Sequence, residues 1–318
     1  MPQREHVLHS RPASGDLVRQ DRRKRVVRRE CVDEQGVGEN AGKAGWLVES
    51  VVLILCLLWL VPTVGLLITS IRHSDAANST GWWTWFANPL DITMQNYKGV
   101  LTGGPNPMGL AFVNSLTVAV PSTVIPILIA AIAAYAFTFM EFRGRDVLFI
   151  VVVGLLVVPN QVAMVPLSVL FHNWGLSGQF LSVWLAHTGF GMPLAVYILR
   201  NYMATLPRAV IESAKVDGAS HFQAFWQLIV PMSVPALASF AIFQFLWVWN
   251  DLLVSLIFLG PGQNQVMTMA LAQMLGDRGQ GWQLLTAGAF LTMVLPIIVF
   301  VTLQRFFVRG LTAGAVKG

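Results

Sequence analysis

Six long apolar segments constrain the fold of this chain more than any other feature of its sequence. Each segment is near or above the roughly 20 apolar residues that a helix needs to cross a bilayer. Of the 318 residues, 55% are hydrophobic and 12% are charged, whereas soluble domains carry about 25% charged residues. The sequence therefore predicts an all-α, polytopic membrane protein with six transmembrane helices, at residues 49–70, 111–139, 147–171, 180–199, 235–259 and 284–304.

The Lys and Arg residues between these segments predict the orientation of the chain. If the N-terminus is inside, the inside segments hold 18 of the 21 Lys and Arg residues. The outside segments then hold only Arg72, Lys98 and Arg278. Because short cytoplasmic loops carry an excess of basic residues, we expect both termini to be cytoplasmic, together with the loop between the fourth and fifth segments.

Residues 1–45 differ in composition from the remainder of the chain. They hold ten of the 21 Lys and Arg residues and no aromatic residue, and they cannot bury enough apolar surface to fold alone. We predict a disordered, basic cytoplasmic extension that helps to fix the topology; a docking or lipid-binding arm is the alternative. Residues 46–318 then form the transmembrane domain.

The cytoplasmic loop 203–233, here called the knob, has the most informative local pattern. Pro207 suits the first turn of a helix. The apolar face of this helix would be formed by Val210, Ile211 and Ala214, which recur at helical spacing. Gly218 stands where that helix should end, because glycine readily adopts the left-handed conformation found at helix ends. The sequence thus predicts a short helix followed by a glycine turn.

A second helix should follow that turn. Ser220 and Gln223 have the spacing of a capping box, and Pro231 and Pro235 should end the helix. One apolar face is expected, formed by Phe222, Phe225, Trp226 and Ile229. The pattern predicts a compact helix–turn–helix suited to fitting a groove of a partner; an ordinary loop, with Gly218 only as a helix stop, is the alternative.

The knob resembles the EAA loop in the permease subunits of bacterial ATP-binding-cassette importers. The family pattern is E-A-A, three residues, G, nine residues and I-x-L-P. The chain has Glu212-Ser213-Ala214, then Gly218, then Leu228-Ile229-Val230-Pro231, so the spacing matches in full. It departs at Ser213, Leu228 and Val230, and all three changes are small or conservative. The run Asp217-Gly218-Ala219 is typical of the carbohydrate-importing branch.

The resemblance covers about residues 46–318 and implies the fold of a type I ABC importer permease. Residues 180–260 look like the α-glucoside transporter permeases. The C-terminal run from Arg309 resembles the tail of the maltose-type permease that lacks a large external domain. By resemblance, the knob docks on an ATPase subunit through Glu212, Ser213, Ala214, Asp217, Gly218, Ala219 and Pro231. The tail would contact the ATPase subunits through Gly310, Leu311, Thr312, Gly314 and Lys317.

Polar and aromatic residues inside the apolar segments are candidates for a substrate path. Pro159 and Pro166 interrupt the third segment, which is tolerated where the backbone lines a cavity; a packing kink is the alternative. A carboxylate such as Asp251 is costly in a membrane segment. For His187, a hydrogen-bonded packing role is favoured over a role in the path. For the polar and aromatic residues of the fifth segment, the alternative to lining the path is a structural hydrogen bond to a neighbouring helix or to the partner permease. The candidates are Asn160, Gln161, His187, Trp247, Trp249, Asn250 and Asp251.

Two outside loops are further candidates for contacts. The loop at about 71–110 contains a cluster of aromatic residues, from Trp82 to Phe86, which suits an interfacial belt. Its later part resembles the amphipathic lead-in before the second span of carbohydrate permeases; a helix that only lies at the interface is the alternative. The glycine-rich loop 260–283 could touch an external binding protein.

By this resemblance, the chain is expected to be the transmembrane subunit of an ATP-driven, binding-protein-dependent sugar importer, for α-glucosides such as maltose, trehalose or sucrose. The implied partners are a second related permease, two ATPase subunits and an extracytoplasmic sugar-binding protein, in the bacterial inner membrane and without nucleic acid. ATP and Mg would be used by the ATPase subunits, so we expect no cofactor, no metal site and no enzymatic activity in this chain. An ion-coupled secondary transporter is the alternative, although Asp251 is its one clear ionisable candidate.

Overall fold

The computed structural model describes residues 45–103, 107–274 and 281–312, with side chains up to residue 303. Within these ranges the regular structure is entirely helical. The helices are α1 Gly45–Ser70, α2 Ser74–Ser79, α3 Gln95–Thr102, α4 Met108–Phe139, α5 Arg145–Gly154, α6 Asn160–Asn173, α7 Phe180–Met203, α8 Arg208–Val216, α9 His221–Asn250, α10 Leu253–Phe258, α11 Met267–Gln273 and α12 Trp282–Thr312.

The chain divides into two compact units at Val64 and Gly65. In the first unit the described part is the stretch of α1 up to Val64, whose side chains are largely exposed. The extension predicted for residues 1–45 lies outside the described residues, apart from Gly45. The second unit contains α2–α12.

Five described helices are long and apolar enough to cross a membrane: α1, α4, α7, α9 and the part of α12 up to Leu303. The third predicted segment consists instead of two helices that meet at 98°. The first is α5 extended by the 3-10 turn Leu155–Val157, so that it spans Arg145–Val157, and the second is α6, Asn160–Asn173. The count is therefore six spans if this bent pair is one broken span. The break lies at Pro159, because proline has no N–H and drives the preceding residue, Val158, to an extended conformation. Pro166 lies inside α6 and does not interrupt it.

Helix α9 differs from its prediction at both ends. The sequence predicted a break at Pro231 and Pro235, but the helix is continuous through both prolines from the knob to Asn250. A π-helical stretch, Phe225–Ile229, directly precedes Pro231. Its wider turn changes the backbone pairing where the proline ring would otherwise clash with the carbonyl four residues earlier. The helix then ends before Asp251, which is extended.

The second unit has two separate hydrophobic cores. The first core includes Met108, Val183 and Trp249, and the second includes Leu199 and Phe240. On α4, α7 and α9, buried polar side chains occur between the residues of the two cores: Ser122 on α4, His187 and Thr188 on α7, and Gln244 on α9. The helices therefore pack at both ends of their length and meet in a polar layer between.

Gln244 holds this polar layer together. Its side chain is buried, and its Nε2 donates a hydrogen bond of 3.2 Å to the carbonyl oxygen of Ser122. The amide fits against Gly191, where an added Cβ would stand 2.7 Å from the same Nε2 atom. The absence of a side chain at Gly191 therefore leaves room for the Gln244 amide directly against α7.

We predict that Gly191→Ala destabilises the protein by about 1–3 kcal/mol, the usual cost of overpacking a core. The added methyl group must displace Gln244 from its hydrogen bond with Ser122. Gly189→Ala is the matched control on the same helix, because its Cβ would meet nothing within 4 Å. The measurement is the apparent Tm of both variants in lipid nanodiscs. Equal Tm values for the two variants would contradict the predicted contact.

Candidate functional site

The turn of the knob has the geometry that the sequence predicts. Gly218 has a φ of +85°, a conformation that glycine adopts without the steric cost of a Cβ. Its N–H donates to the carbonyl of Lys215 at 3.1 Å, and the N–H of Ala219 donates to the carbonyl of Ala214 at 2.9 Å. This pair of bonds is a Schellman motif, which satisfies the last carbonyls of α8.

The capping box predicted for the second helix is confirmed. The backbone N–H of Gln223 donates to the Oγ of Ser220 at 3.3 Å, and the N–H of Ser220 donates to the Oε1 of Gln223 at 2.9 Å. The first helix begins one residue later than predicted, since Pro207 stands at its N-cap position and Arg208 is its first residue. Both ends of the turn between α8 and α9 are therefore fixed by local hydrogen bonds.

The predicted docking residues lie mainly on the surface of the knob. Glu212, Ser213 and Asp217 are exposed, and so are Gly218 and Pro231. Ala214 and Ala219 are half-buried. Ile211, the buried residue of α8, packs in the second core and so attaches the knob to the helix bundle.

The apolar face predicted for the second helix is buried only in part. Phe225 and Ile229 are buried in the second core, whereas Phe222 is 73% exposed and Trp226 is 41% exposed. Val216, on the other side of the turn, is 87% exposed. The knob thus buries Phe225 and Ile229 and leaves three other apolar side chains exposed.

A cavity of about 400 Å³ lies beside the break of the third segment. Its walls come from the broken segment, α7 and α9, and are mostly apolar. Two of the predicted path residues, Asn160 and Trp247, line it together with Leu156, Phe190 and Pro193. Gln161 is exposed next to Asn160 but does not line the cavity.

His187 lies behind Trp247 and is fully buried. The two rings meet edge to face, with centroids 6.5 Å apart. Within the described part of the chain, neither imidazole nitrogen has a hydrogen-bond partner, and the hydroxyl of Thr188 has none either. The hydrogen-bonded packing role expected for His187 is therefore not seen. Buried polar groups without partners are rare and call for a physical explanation.

The other three path candidates make structural contacts. Trp249 is buried in the first core, where its Nε1 donates to the carbonyl of Thr292 at 3.0 Å. Asn250 is exposed and donates to the carbonyl of Leu246, within its own helix. The Oδ1 of Asp251 accepts the N–H of Val254 at 2.7 Å and thereby caps α10.

The predicted tail is partly described. Gly310, Leu311 and Thr312 continue the helical backbone of α12, while Gly314 and Lys317 lie outside the described residues. Among the described ranges, no group of three His, Cys, Asp or Glu side chains is placed to hold a metal ion.

One contact of the knob has no counterpart in the sequence analysis. The hydroxyl of Tyr135, near the end of α4, lies 2.9 Å from the Nδ1 of His221 at the start of α9. The two residues are separated by 86 positions. No spacing or periodicity in the sequence could have paired them.

Known proteins resemble this chain over most of its length. The family model for the inner membrane component of binding-protein-dependent transport systems matches residues 109–313. The osmoprotective compounds uptake permease GgtD of Synechocystis sp. is 55% identical over 84% of this chain and 90% of its own length. The alpha-glucoside transport permease AglG of Rhizobium meliloti is 43% identical, over 86% of this chain and 97% of its own.

The fold also matches a solved structure. A bacterial ABC transporter involved in the import of the acidic polysaccharide alginate has a chain that superposes with a TM-score of 0.72, at 20% identity, covering 84% of this chain and 98% of its own. The predicted fold of an ABC importer permease is thus confirmed. With a family match over residues 109–313, this chain belongs to the family of inner membrane components of binding-protein-dependent transport systems.

Proposed function

We propose that this chain is the transmembrane subunit of an ATP-driven, binding-protein-dependent importer of α-glucosides such as maltose, trehalose or sucrose. The observation that carries the substrate class is the 43% identity to AglG over 86% of the chain. Osmoprotective compounds are a second candidate class, since GgtD is named for their uptake and is 55% identical. No finding favours the ion-coupled alternative.

The proposed assembly places the knob and both termini in the cytoplasm. The distribution of 18 of the 21 Lys and Arg residues supports this orientation. The partners would be a second related permease, two ATPase subunits and an extracytoplasmic solute-binding protein. The ATPase subunits would bind and hydrolyse ATP with Mg, so this chain would act without a cofactor of its own.

The knob is proposed to dock into a groove of the ATPase. The knob exposes the apolar side chains of Val216, Phe222 and Trp226, and it also exposes the carboxyl groups of Glu212 and Asp217. Exposed apolar groups rimmed by polar ones are typical of protein–protein contact sites. The C-terminal tail, with Gly310, Leu311, Thr312, Gly314 and Lys317, is proposed as a further ATPase contact.

The cavity beside the broken segment is proposed to lie on the substrate path. The exposed face of Trp247 offers a surface on which the apolar face of a sugar ring can stack. Asn160, in the cavity wall, can exchange hydrogen bonds with sugar hydroxyl groups, and Gln161 can do so from the exposed position next to it. His187 is fully buried, so it would act only through its edge-to-face contact with Trp247.

Helix α9 connects the two proposed sites. It has 30 residues and is therefore about 45 Å long, with the knob at one end and Trp247 in its last turn. When the ATPase subunits close on ATP, the knob would move as a rigid body. The same helix would carry that movement to the cavity and switch the spans from inward-open to outward-open.

Reconstituted transport tests the proposed function. The chain, its partner permease, the ATPase and the solute-binding protein would be placed in liposomes, and uptake of radiolabelled maltose, trehalose, sucrose and glycine betaine would be measured. We expect ATP-dependent uptake of at least one disaccharide. Uptake of glycine betaine alone would favour the osmoprotective class, and uptake driven by an ion gradient without ATP would exclude an ATP-driven importer.

The turn of the knob provides a first prediction. Gly218→Val should abolish transport while the spans remain inserted, because a Cβ disfavours the positive φ by about 1–2 kcal/mol and a branched side chain adds to this. Gly218→Asn is the matched control, since asparagine tolerates the left-handed conformation. The measurements are pull-down of the ATPase and binding-protein-stimulated hydrolysis. Full stimulation in the valine variant would refute the docking role.

Trp247 provides a second prediction. Trp247→Ala should lower sugar uptake about tenfold, which corresponds to roughly 1.4 kcal/mol of lost interaction, while assembly with the ATPase is retained. Trp247→Phe keeps an aromatic surface and should retain most of the uptake. Wild-type uptake by the alanine variant would remove the cavity from the substrate path.

The contacts of Asp251 provide a third prediction. If its carboxyl group acts as a helix cap, Asp251→Asn should keep near-normal uptake, because the amide oxygen can still accept the N–H of Val254. Asp251→Ala should lower stability by about 0.5–2 kcal/mol, as measured from the apparent Tm. A large loss of uptake in the asparagine variant, at unchanged Tm, would instead assign the carboxylate to the path.

A further inference from the structure

We propose that Tyr135 and His221 form a latch between α4 and the knob, and that both act as positioning residues in the coupling of ATP hydrolysis to transport. The latch is the hydrogen bond between the Tyr135 hydroxyl and the Nδ1 of His221, 2.9 Å long. The inference rests on the proposed docking of the knob to the ATPase, and it adds a second route for movement besides α9 itself.

The Tyr135 ring is fixed by its surroundings. It is buried in the second core, one turn before α4 ends at Phe139. It meets the ring of Phe225 edge to face, with centroids 5.4 Å apart, and lies at the same centroid distance from the tilted ring of Phe139. A ring packed on several sides has little rotamer freedom, so its hydroxyl is held in place to meet the imidazole.

The backbone of His221 is positioned by the capping box at the start of α9. This residue is the first of α9, directly after the capping residue Ser220, and it is exposed at the surface. Its ring also meets the Tyr135 ring edge to face, with centroids 6.0 Å apart. The hydrogen bond can form in either protonation state, because the hydroxyl can donate to a bare Nδ1 or accept from a protonated one.

The π-helical stretch explains why a separate contact between the start of α9 and α4 matters. It occupies Phe225–Ile229, between His221 and the membrane-spanning part of α9. π-Helical turns are rare and often mark functional positions in helices. A joint of this kind would let the start of α9 move separately from its span. The bond to Tyr135 ties the start of α9 to α4, so movement of the knob also reaches α4 directly.

Substitutions that remove the hydrogen bond but keep the rings test the latch. Tyr135→Phe and His221→Phe should each reduce binding-protein-stimulated ATP hydrolysis about fivefold, the order of effect expected for the loss of one hydrogen bond. The double variant should be no worse than either single variant, because both remove the same bond. His221→Asn places an amide near the position of Nδ1 and should restore most of the stimulation.

Tyr202→Phe is the matched control. The Tyr202 hydroxyl donates to the carbonyl of Met232 at 3.3 Å, so this variant also removes one tyrosine hydrogen bond to α9. Met232 lies beyond the π-helical stretch, on the side of the span, and the variant should therefore retain stimulation. Equal losses in the Tyr202 and Tyr135 variants, or additive losses in the double variant, would overturn the latch.

Hydrogen–deuterium exchange separates this inference from the proposed function. In the full chain in nanodiscs, backbone amides 219–224 should exchange several-fold faster in Tyr135→Phe than in the wild type and in Tyr202→Phe. Unchanged exchange would refute the latch. If the wild-type complex shows no binding-protein-stimulated hydrolysis, the proposed function fails, and the exchange result still decides whether the latch exists.

Discussion

The continuity of helix α9 is the constraint on which the rest of the structure depends. One helix runs from the capping box of the knob to Asn250 and passes two prolines that would normally interrupt it. The π-helical stretch before Pro231 makes this continuity possible. The surface of the knob and the cavity wall at Trp247 therefore lie on one continuous helix, with the π-helical stretch as a joint near its start.

The packing of the bundle complements this long helix. Two hydrophobic cores hold α4, α7 and α9 together at separate levels. The layer between them contains buried polar side chains, some without partners among the described residues, such as Ser122 and His187. Apolar cores resist rearrangement because every displaced contact is lost. In the polar layer, fewer packing contacts and hydrogen bonds are broken when the helices move. The helices can therefore change their relative positions at this level with the smallest loss of free energy.

The bend of the third segment also depends on the part of the structure that surrounds it. A 98° bend between two apolar helices leaves backbone groups without helical partners, and lipid cannot satisfy such groups. A bend of this kind is tolerated where the freed groups face protein or line a cavity, and the cavity lined by Asn160 and Trp247 lies beside this bend. The break and the cavity therefore depend on each other.

The sequence by itself determined the features whose causes are local. The apolar lengths of the spans, the positive φ of Gly218 and the capping box of Ser220 and Gln223 each depend on residues that are close in the chain. The break at Pro159 is also local, because proline restricts the residue before it. These predictions agree with the structure because no distant contact is needed to produce them.

Only the tertiary structure decided which side of each helix is buried. Trp247 and Trp249 are two positions apart, so they face nearly opposite sides of a helix that turns 100° per residue. The sequence could not tell which side meets Thr292, 43 positions away, and which meets the cavity. The same holds for the split between Phe222 and Phe225, and for the bond between Tyr135 and His221. Each depends on how separate helices pack, and a pattern within one segment carries no information about its neighbours in space.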